Sequence, residues 1–283
     1  MLDLYLGAGG NYIDTAPFYG EGRAELVVAK VLPEFDRDRL VIASRAGVRS
    51  EAERRIDCSR THVLKSLDDS LRTMQLDYVD VWMIDRYDPM VSPEELLLTL
   101  EMAVRSGRVR YVAVGNYAGW QLAQLAALAP ASIPIAACSV EYSLVQRGAE
   151  QEVMPAASTL GIALVPWSPL GRGVLSGKYR TGVPADSRAA SPSWGRFVQT
   201  HLNSSARRTV EAVCTAANGL GLAPIDVALA WVRGRQTVAS LLGARTVGQL
   251  RAALANADLV LPSEIAQALD DVSEHNPGMP DPA

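Results

Sequence analysis

Short apolar runs alternate along this chain with longer segments whose apolar residues recur at helical spacing, and no low-complexity linker divides them. Strand-like runs fall at Asn11–Ala16, Leu40–Arg45, Val79–Ile84, Arg110–Gly115, Ile135–Glu141, Ile162–Ser168 and Val238–Ala244. The remaining periodicity predicts helices at 23–33, 60–75, 93–106, 118–129, 149–160, 205–220, 224–234, 246–257 and 262–274. Ser92-Pro93-Glu94-Glu95 reads as an N-cap, a first-turn proline and two acids on the positive end of a helix dipole. This βα rhythm predicts an α/β protein, a (β/α)8 TIM barrel in one domain over residues 1–283. Only seven strand runs are found, so the first strand of the barrel is expected to precede residue 1. Met1-Leu-Asp-Leu-Tyr-Leu-Gly-Ala-Gly-Gly reads as the last turns of a helix with a glycine stop, as if the chain began inside the first βα unit. A missing strand exposes two edges, so a late start or truncation is expected, with an open or partner-completed barrel as the alternatives.

Composition narrows the partners. With 283 residues and 48% hydrophobic content the chain can bury a large core. A net charge of -4 supplies no basic field for a phosphate backbone, so no nucleic-acid partner is expected. No uncharged run approaches the roughly 18 residues a membrane span needs, and the first residues lack the order of a signal peptide. Cys58, Cys138 and Cys214 form no metal-spaced pair, and any disulfide scheme leaves one over, so a reducing cytoplasm is the expected compartment and no metal is expected.

The candidate chemistry starts at Asn11-Tyr-Ile-Asp-Thr-Ala-Pro-Phe-Tyr-Gly-Glu-Gly, where an apolar run ends on Asp14 and a phenol, Tyr19, follows five residues later. Pro17 breaks the strand, while Gly20 and Gly22 permit a turn, which places Asp14 at a strand's carboxyl end and Tyr19 in the loop above it. In a barrel of parallel strands that end carries the chemistry. The plainer alternative is a buried Asp capping a turn beside a packing Tyr.

The order of motifs resembles the aldo-keto reductase superfamily over essentially the whole chain. The matching stretches are Asn11 to Gly20, Leu40-Val-Ile-Ala-Ser-Arg-Ala-Gly, Leu76-Asp-Tyr-Val-Asp-Val-Trp-Met-Ile-Asp-Arg-Tyr-Asp-Pro, Val114-Gly-Asn-Tyr, Val165-Pro-Trp-Ser-Pro-Leu and Leu242-Gly-Ala-Arg-Thr. Each is weak alone; six in order at strand ends are strong. The branch it looks closest to includes potassium-channel β subunits and bacterial relatives, some acting on sugars. The resemblance implies NADP(H), hydride transfer to a carbonyl, and a catalytic Asp, Tyr, Lys and His. Asp14 and Tyr19 match the first two, with Tyr19 as the acid that protonates the developing alkoxide. Arg45 stands in place of the Lys and Asp85 in place of the His.

Those two departures bear on turnover. A free Tyr has a pKa of about 10, and a neighbouring cation lowers it. Arg45 can supply the charge, although its planar guanidinium forks differently from an ammonium and does not titrate. An ionised Asp85 would repel an alkoxide and raise the Tyr19 pKa, and pairing between Arg45 and Asp85 would leave Tyr19 poorly activated. No histidine substitutes: His62 belongs to a helix start, His201 to a loop and His275 to the tail. A protonated Asp85 is the third outcome. It would resemble a steroid-reducing branch of the family, in which a carboxylic acid replaces this His and hydride goes to a conjugated C=C bond, although that branch uses Glu and keeps the Lys.

The resemblance extends to the cofactor. Trp167 aligns with the aromatic that stacks on the nicotinamide, and packing in the barrel mouth is the alternative. Asn116 matches the Asn that holds the carboxamide, but its usual Ser neighbour is Gly115 and its usual Gln partner is Ser139. Ser168, Leu170, Gly171, Gly173, Ser176 and Lys178 match the loop that closes over the pyrophosphate. Arg245, Thr246 and Gln249 match the region that reads the 2'-phosphate and adenosine, against the alternative of a solvated Arg beside a Thr N-cap. Ala252-Ala253 replace the family's adenine-holding acid and Asn, so adenine affinity is expected to be weaker than usual.

Other motifs fail on context. Gly177-Lys178-Tyr179 lacks the Ser or Thr of a P-loop, and Gly7-Ala-Gly-Gly is a helix stop rather than a dinucleotide loop. Asn203-Ser-Ser has the glycosylation pattern without a secretory signal. Arg49, Arg54, Arg55 and Arg60 are expected to face solvent, with an acidic or phosphorylated substrate as the alternative. Three functions remain open: an NADP(H)-dependent oxidoreductase on a small carbonyl compound such as a sugar or sugar nucleotide; a nucleotide-binding pseudoenzyme or regulatory subunit; and an enone C=C reductase using a protonated Asp85. Oligomeric state is left open by the sequence.

Overall fold

The structure is a computed structural model that describes residues 1–49, 53–192 and 194–274. After a short helix α1 (Leu2–Gly7), six strands alternate with helices: β1 (Tyr12–Asp14), α2 (Arg23–Val31), β2 (Val41–Ala46), α3 (Arg60–Met74), β3 (Val79–Ile84), α4 (Pro93–Arg105), β4 (Val109–Gly115), α5 (Gly119–Leu128), β5 (Ile135–Glu141), α6 (Val153–Leu160) and β6 (Ala163–Trp167). Five helices follow: α7 (Gly195–Gln199), α8 (Ser204–Leu220), α9 (Pro224–Arg233), α10 (Val247–Leu254) and α11 (Ser263–Ser273). The strands lie in chain order, β1 to β6, and those from β1 to β5 pair in parallel. This is the α/β sheet of βα units that the sequence pattern implies. Among the described residues no single helix is long and apolar enough to cross a membrane.

Two compact units partition the chain. One comprises Tyr5–Val140 with Glu152–Leu164; the other comprises Met1–Leu4, Glu141–Gln151 and the chain from Val165 onward. In the first, β2 to β4 are largely buried because helices cover them, as parallel strands require. Ser44 shows which side of β2 those helices take, since its Oγ donates to Glu25 of α2 at 3.1 Å and lies 3.5 Å from the Ser70 hydroxyl of α3. By the two-residue alternation of a strand, Arg45 points to the opposite face. Ser92 accepts from the Glu95 amide at 3.2 Å with Pro93 in the first turn, as the motif predicts.

The second unit departs from the pattern in two places. The run Val238–Ala244 forms no strand; only Leu241 makes a parallel bridge to Trp167, donating to the Pro166 carbonyl at 2.7 Å. Pro166 has no N–H to continue a ladder, and the chain leaves strand geometry at Ser168, whose φ is 55°. The unexpected element is α7, in a stretch whose composition carries no helical period. Cys58, Cys138 and Cys214 are all buried free thiols, and His275 lies outside the described residues.

Candidate active site

The carboxyl ends of β1, β2, β3 and β5 bring a charged cluster together within the first unit. Asp14 is the last residue of β1, and the register of β1 on β2 sets it beside Ala43, so that Arg45, two residues further along the same face, reaches it. The Arg45 Nε lies 3.0 Å and 3.2 Å from the two Asp14 oxygens. Its Nη1 donates to Asp85 Oδ1 at 2.7 Å and its Nη2 to Ser139 Oγ at 3.2 Å. Asp85 follows β3, and its amide donates to the Ala46 carbonyl at 2.9 Å, extending the sheet pairing by one residue. The guanidinium is only 2% exposed and the two carboxylates 9% and 8%.

Tyr19 joins this cluster from the turn after β1, its hydroxyl donating to Asp14 Oδ2 at 3.2 Å. Burial raises the phenol's pKa above its usual value, and the Asp14 charge adds to the shift, while Arg45 opposes it. Burial likewise raises Asp14 above the ordinary carboxylate range against the pull of Arg45. For Arg45 burial works against the charge, but Asp14, Tyr19 and Asp85 outweigh it and hold the guanidinium protonated. Tyr12, two residues before Asp14 on the same strand face, contributes a buried hydroxyl with no partner among the described residues.

The structure therefore makes the Arg45–Asp85 pair that the sequence offered as one outcome. All three guanidinium nitrogens are engaged by Asp14, Asp85 and Ser139 rather than by the Tyr19 oxygen. The second Asp85 oxygen faces Arg86 Nε at 3.4 Å, a cation the sequence reading did not single out. With guanidinium groups at both oxygens, Asp85 is placed as an acceptor. Asn116 sits in the left-handed region at φ 57°; its backbone N–H donates to the Ser139 carbonyl at 2.7 Å and its Nδ2 to the Asp85 carbonyl at 3.0 Å. Ser139 serves here as an anchor for Arg45. The loop arginines Arg49, Arg54, Arg55 and Arg60 are exposed, as expected, and two of them are also paired, Arg54 donating to Asp88 at 2.6 Å and Arg49 to Asp57 at 3.2 Å.

In the second unit the remaining candidates follow β6. Trp167 is half-buried and lies parallel to Phe197, with ring centroids 6.3 Å apart and 14° between planes. Behind it Ser168, Gly171, Arg172, Gly173 and Gly177 all have positive φ, which folds Leu170 to Ser176 into a tight turn. Lys178 is exposed beside that turn, its Nζ 3.5 Å from where a Cβ on Gly173 would lie. The Arg245 guanidinium donates to the Asp186 carbonyl at 2.9 Å, and Thr246 caps α10 by accepting from the Gln249 amide at 3.2 Å. The Gln249 side chain returns the bond by accepting from the Arg245 amide at 2.9 Å, so part of its capacity is spent on the helix start.

Sequence reasoning missed a partly buried trio in this unit. Glu141, the last residue of β5, receives Arg172 Nε and Nη2 at 2.6 Å and 2.5 Å and lies 3.0 Å from His201 Nε2. Burial alone would raise the Glu141 pKa, yet His201 and Arg172 bring it below the usual carboxylate value. Arg172 carries no motif beyond its place between Gly171 and Gly173, and His201 was visible only as a loop residue.

The model of the aldo/keto reductase family matches residues 1–274. Among similar proteins, the "Uncharacterized oxidoreductase YrpG" of Bacillus subtilis (strain 168) is 29% identical over 286 residues, covering 96% of this chain and 85% of the relative. The "Probable voltage-gated potassium channel subunit beta" of Oryza sativa subsp. japonica is 28% identical over 286 residues, covering 98% of this chain and 87% of the relative.

Proposed function

The chain belongs to the aldo/keto reductase family, and on that premise we propose that it is an NADP(H)-dependent oxidoreductase acting on the carbonyl of a small molecule, with turnover held down by the Arg45–Asp85 pair. The observation that carries this reading is the hydrogen bond of the Tyr19 hydroxyl to Asp14 beside a buried guanidinium. The description of the Bacillus relative as an oxidoreductase supports it. A sugar or sugar nucleotide is the substrate class we assign for first testing.

The residues present suit such a cofactor in kind. Trp167 offers a flat ring, the turn after it is built of left-handed residues that let a backbone approach an anion, and Arg245 stands at a helix start. Ser187 Oγ and Ser240 Oγ in the same unit are buried without a partner among the described residues, as hydroxyls awaiting a polar ligand would be. Asn116, Ser139, Trp167, Ser168, Leu170, Gly171, Gly173, Lys178, Arg245 and Gln249 are the residues we assign to it. When bound, the nicotinamide supplies the hydride.

The chain's own residues then manage the proton. Tyr19, kept as O–H by its raised pKa, donates to the oxygen of the reduced carbonyl, and Asp14 orients that hydroxyl. The proton points at Asp14 in this structure, so the hydroxyl must rotate to deliver it. Arg45 offsets the Asp14 charge but, being shared with Asp85, lowers the Tyr19 pKa less than an undivided cation would.

The same engagement of Arg45 favours a second reading, a nucleotide-binding protein of this family with little turnover. A conjugated C=C reductase needs Asp85 as a hydrogen-bond donor, and its placement between Arg45 and Arg86 argues against that role. NADPH oxidation over a panel of aldehydes, ketones, sugars and enones separates the three. On the main reading, Tyr19→Phe lowers kcat by about 10²–10⁴ and the double variant Arg45→Lys with Asp85→His raises carbonyl turnover. Quenching of tryptophan fluorescence by NADPH without consumption across the panel supports the second reading, and a Tyr19→Phe enzyme as fast as wild type overturns the first.

A further inference from the structure

Arg172 makes more contacts than a loop residue needs. It sits in the left-handed region at φ 58° and ψ 22°, between two left-handed glycines, a conformation disfavoured for a side chain of its size. Its fork closes on both oxygens of Glu141, with the two side chains only 12% and 10% exposed. The remaining nitrogen reaches outward to the segment around α7, donating to the Phe197 carbonyl at 2.5 Å and the Thr200 hydroxyl at 2.8 Å. The guanidinium carbon also lies 3.7 Å above the Phe197 ring and 5.9 Å from the centre of the Trp167 ring. His201, two residues beyond α7, packs its Nε2 on the same Glu141. Backbone strain persists only where surroundings over-determine it, and here one planar cation is held by a bidentate carboxylate, two further acceptors and an aromatic face.

From this juxtaposition we infer that Arg172, braced by Glu141, is a positioning residue that clamps the segment Gly195–His201 to the turn after β6 and thereby holds Phe197 over Trp167. Phe197 covers a face of the ring to which the nicotinamide is assigned, so the clamp governs how readily that ring becomes available. The inference rests on the cofactor reading only for its consequence; the clamp itself is a property of the unliganded chain.

Two measurements separate the clamp from the cofactor reading. Amide hydrogen exchange without ligand reports the clamp directly, at Val198 and His201, whose N–H groups bond to the Trp194 and Val198 carbonyls. In Glu141→Gln and Arg172→Met, exchange at these two amides should rise by roughly tenfold or more relative to the rest of the protein, the factor carried by one lost charge-assisted hydrogen bond. Arg172→Lys, which keeps the charge but not the fork, should not restore protection. NADPH association, followed by tryptophan quenching with Trp167→Phe as background, should accelerate by a similar factor in the same variants. Phe197→Ala, which leaves the ion pair intact, should accelerate association as well and serves if the charge variants fail to fold.

Uniform exchange across the protein, or unchanged NADPH association in every variant that binds it, overturns the inference. Selective exchange in variants when neither they nor the wild type bind NADPH would refute the cofactor reading and leave the clamp standing.

Discussion

Replacing Asp85 by Asn tests whether pairing or desolvation governs the buried charge cluster. The substitution keeps the shape and an acceptor for Arg45 Nη1 but removes the charge from a contact of 2.7 Å between groups 2% and 8% exposed. Arg45 stays charged, so its bond to the introduced amide keeps an ionised donor; what is lost is the charge of the acceptor, which should cost on the order of 1–2 kcal/mol. The 3.4 Å contact to Arg86, a side chain 46% exposed, adds little to this. The loss stays below the roughly 3–5 kcal/mol of an orphaned buried ion because Arg45 keeps both contacts to Asp14. Arg45→Met strands two carboxylates at once and should approach that larger figure. Urea unfolding of both variants gives the comparison, and ultraviolet titration against a Tyr19→Phe reference should show the Tyr19 pKa falling in Asp85→Asn, because the Asp85 charge is among the groups that raise it. An Asp85→Asn protein more stable than wild type would refute the reasoning, since the net cost of burying the second carboxylate would then exceed what its pairing contributes.

Two further outcomes follow from buried features of the first unit. Glu25 is 2% exposed, and burial raises its pKa above the ordinary Glu value while Ser70 and Ser44 only partly offset this. A carboxyl raised in the folded state binds more protons there than in the unfolded chain, so its contribution is present at acid pH and lost as pH rises from the usual Glu range through the raised value. Glu25→Gln should therefore gain stability relative to wild type as pH rises above the usual Glu range, and a pH-independent difference in urea midpoint would contradict the shift. Gly119→Ala at the start of α5 would place its Cβ 2.5 Å from Glu152 Cβ and 2.8 Å from the Glu152 carbonyl oxygen, next to α6. The helix gains from losing a glycine, but overpacking of this kind costs about 1–3 kcal/mol, so a lowered melting temperature is expected and a raised one would show that α5 and α6 can separate freely.

The candidate site was legible where its geometry is local. Asp14 and Tyr19 are five residues apart across one strand end and one turn, so their hydrogen bond follows from the strand-breaking Pro17 and the glycines after it. Strand ends could also be marked from apolar runs, which put Arg45 and Asp85 at the carboxyl end of a parallel sheet. The run Val238–Ala244 shows the limit of that logic. Its apolar run matched a strand, but a strand needs a partner able to exchange hydrogen bonds along its length, and beside Leu241 the partner offers Pro166 and a chain already turning away. The helix α7 and the trio of Glu141, Arg172 and His201 were unreadable for the complementary reason. The trio's members are 31 and 60 residues from Glu141, and no period or motif joins them.

Hydrophobic spacing by itself determined the alternation of strands and helices, the parallel α/β sheet, and which end of each strand carries Asp14, Arg45, Asp85, Asn116 and Ser139, because burial of one face is a property of residues two or three to four positions apart. Tertiary structure alone decided which charges share each buried volume: that Arg45 is divided between Asp14 and Asp85, and that Arg172 turns back onto Glu141. Electrostatic energy depends on separations set by sheet register and loop path, and on the water removed between groups, neither of which is written in the order of residues along the chain.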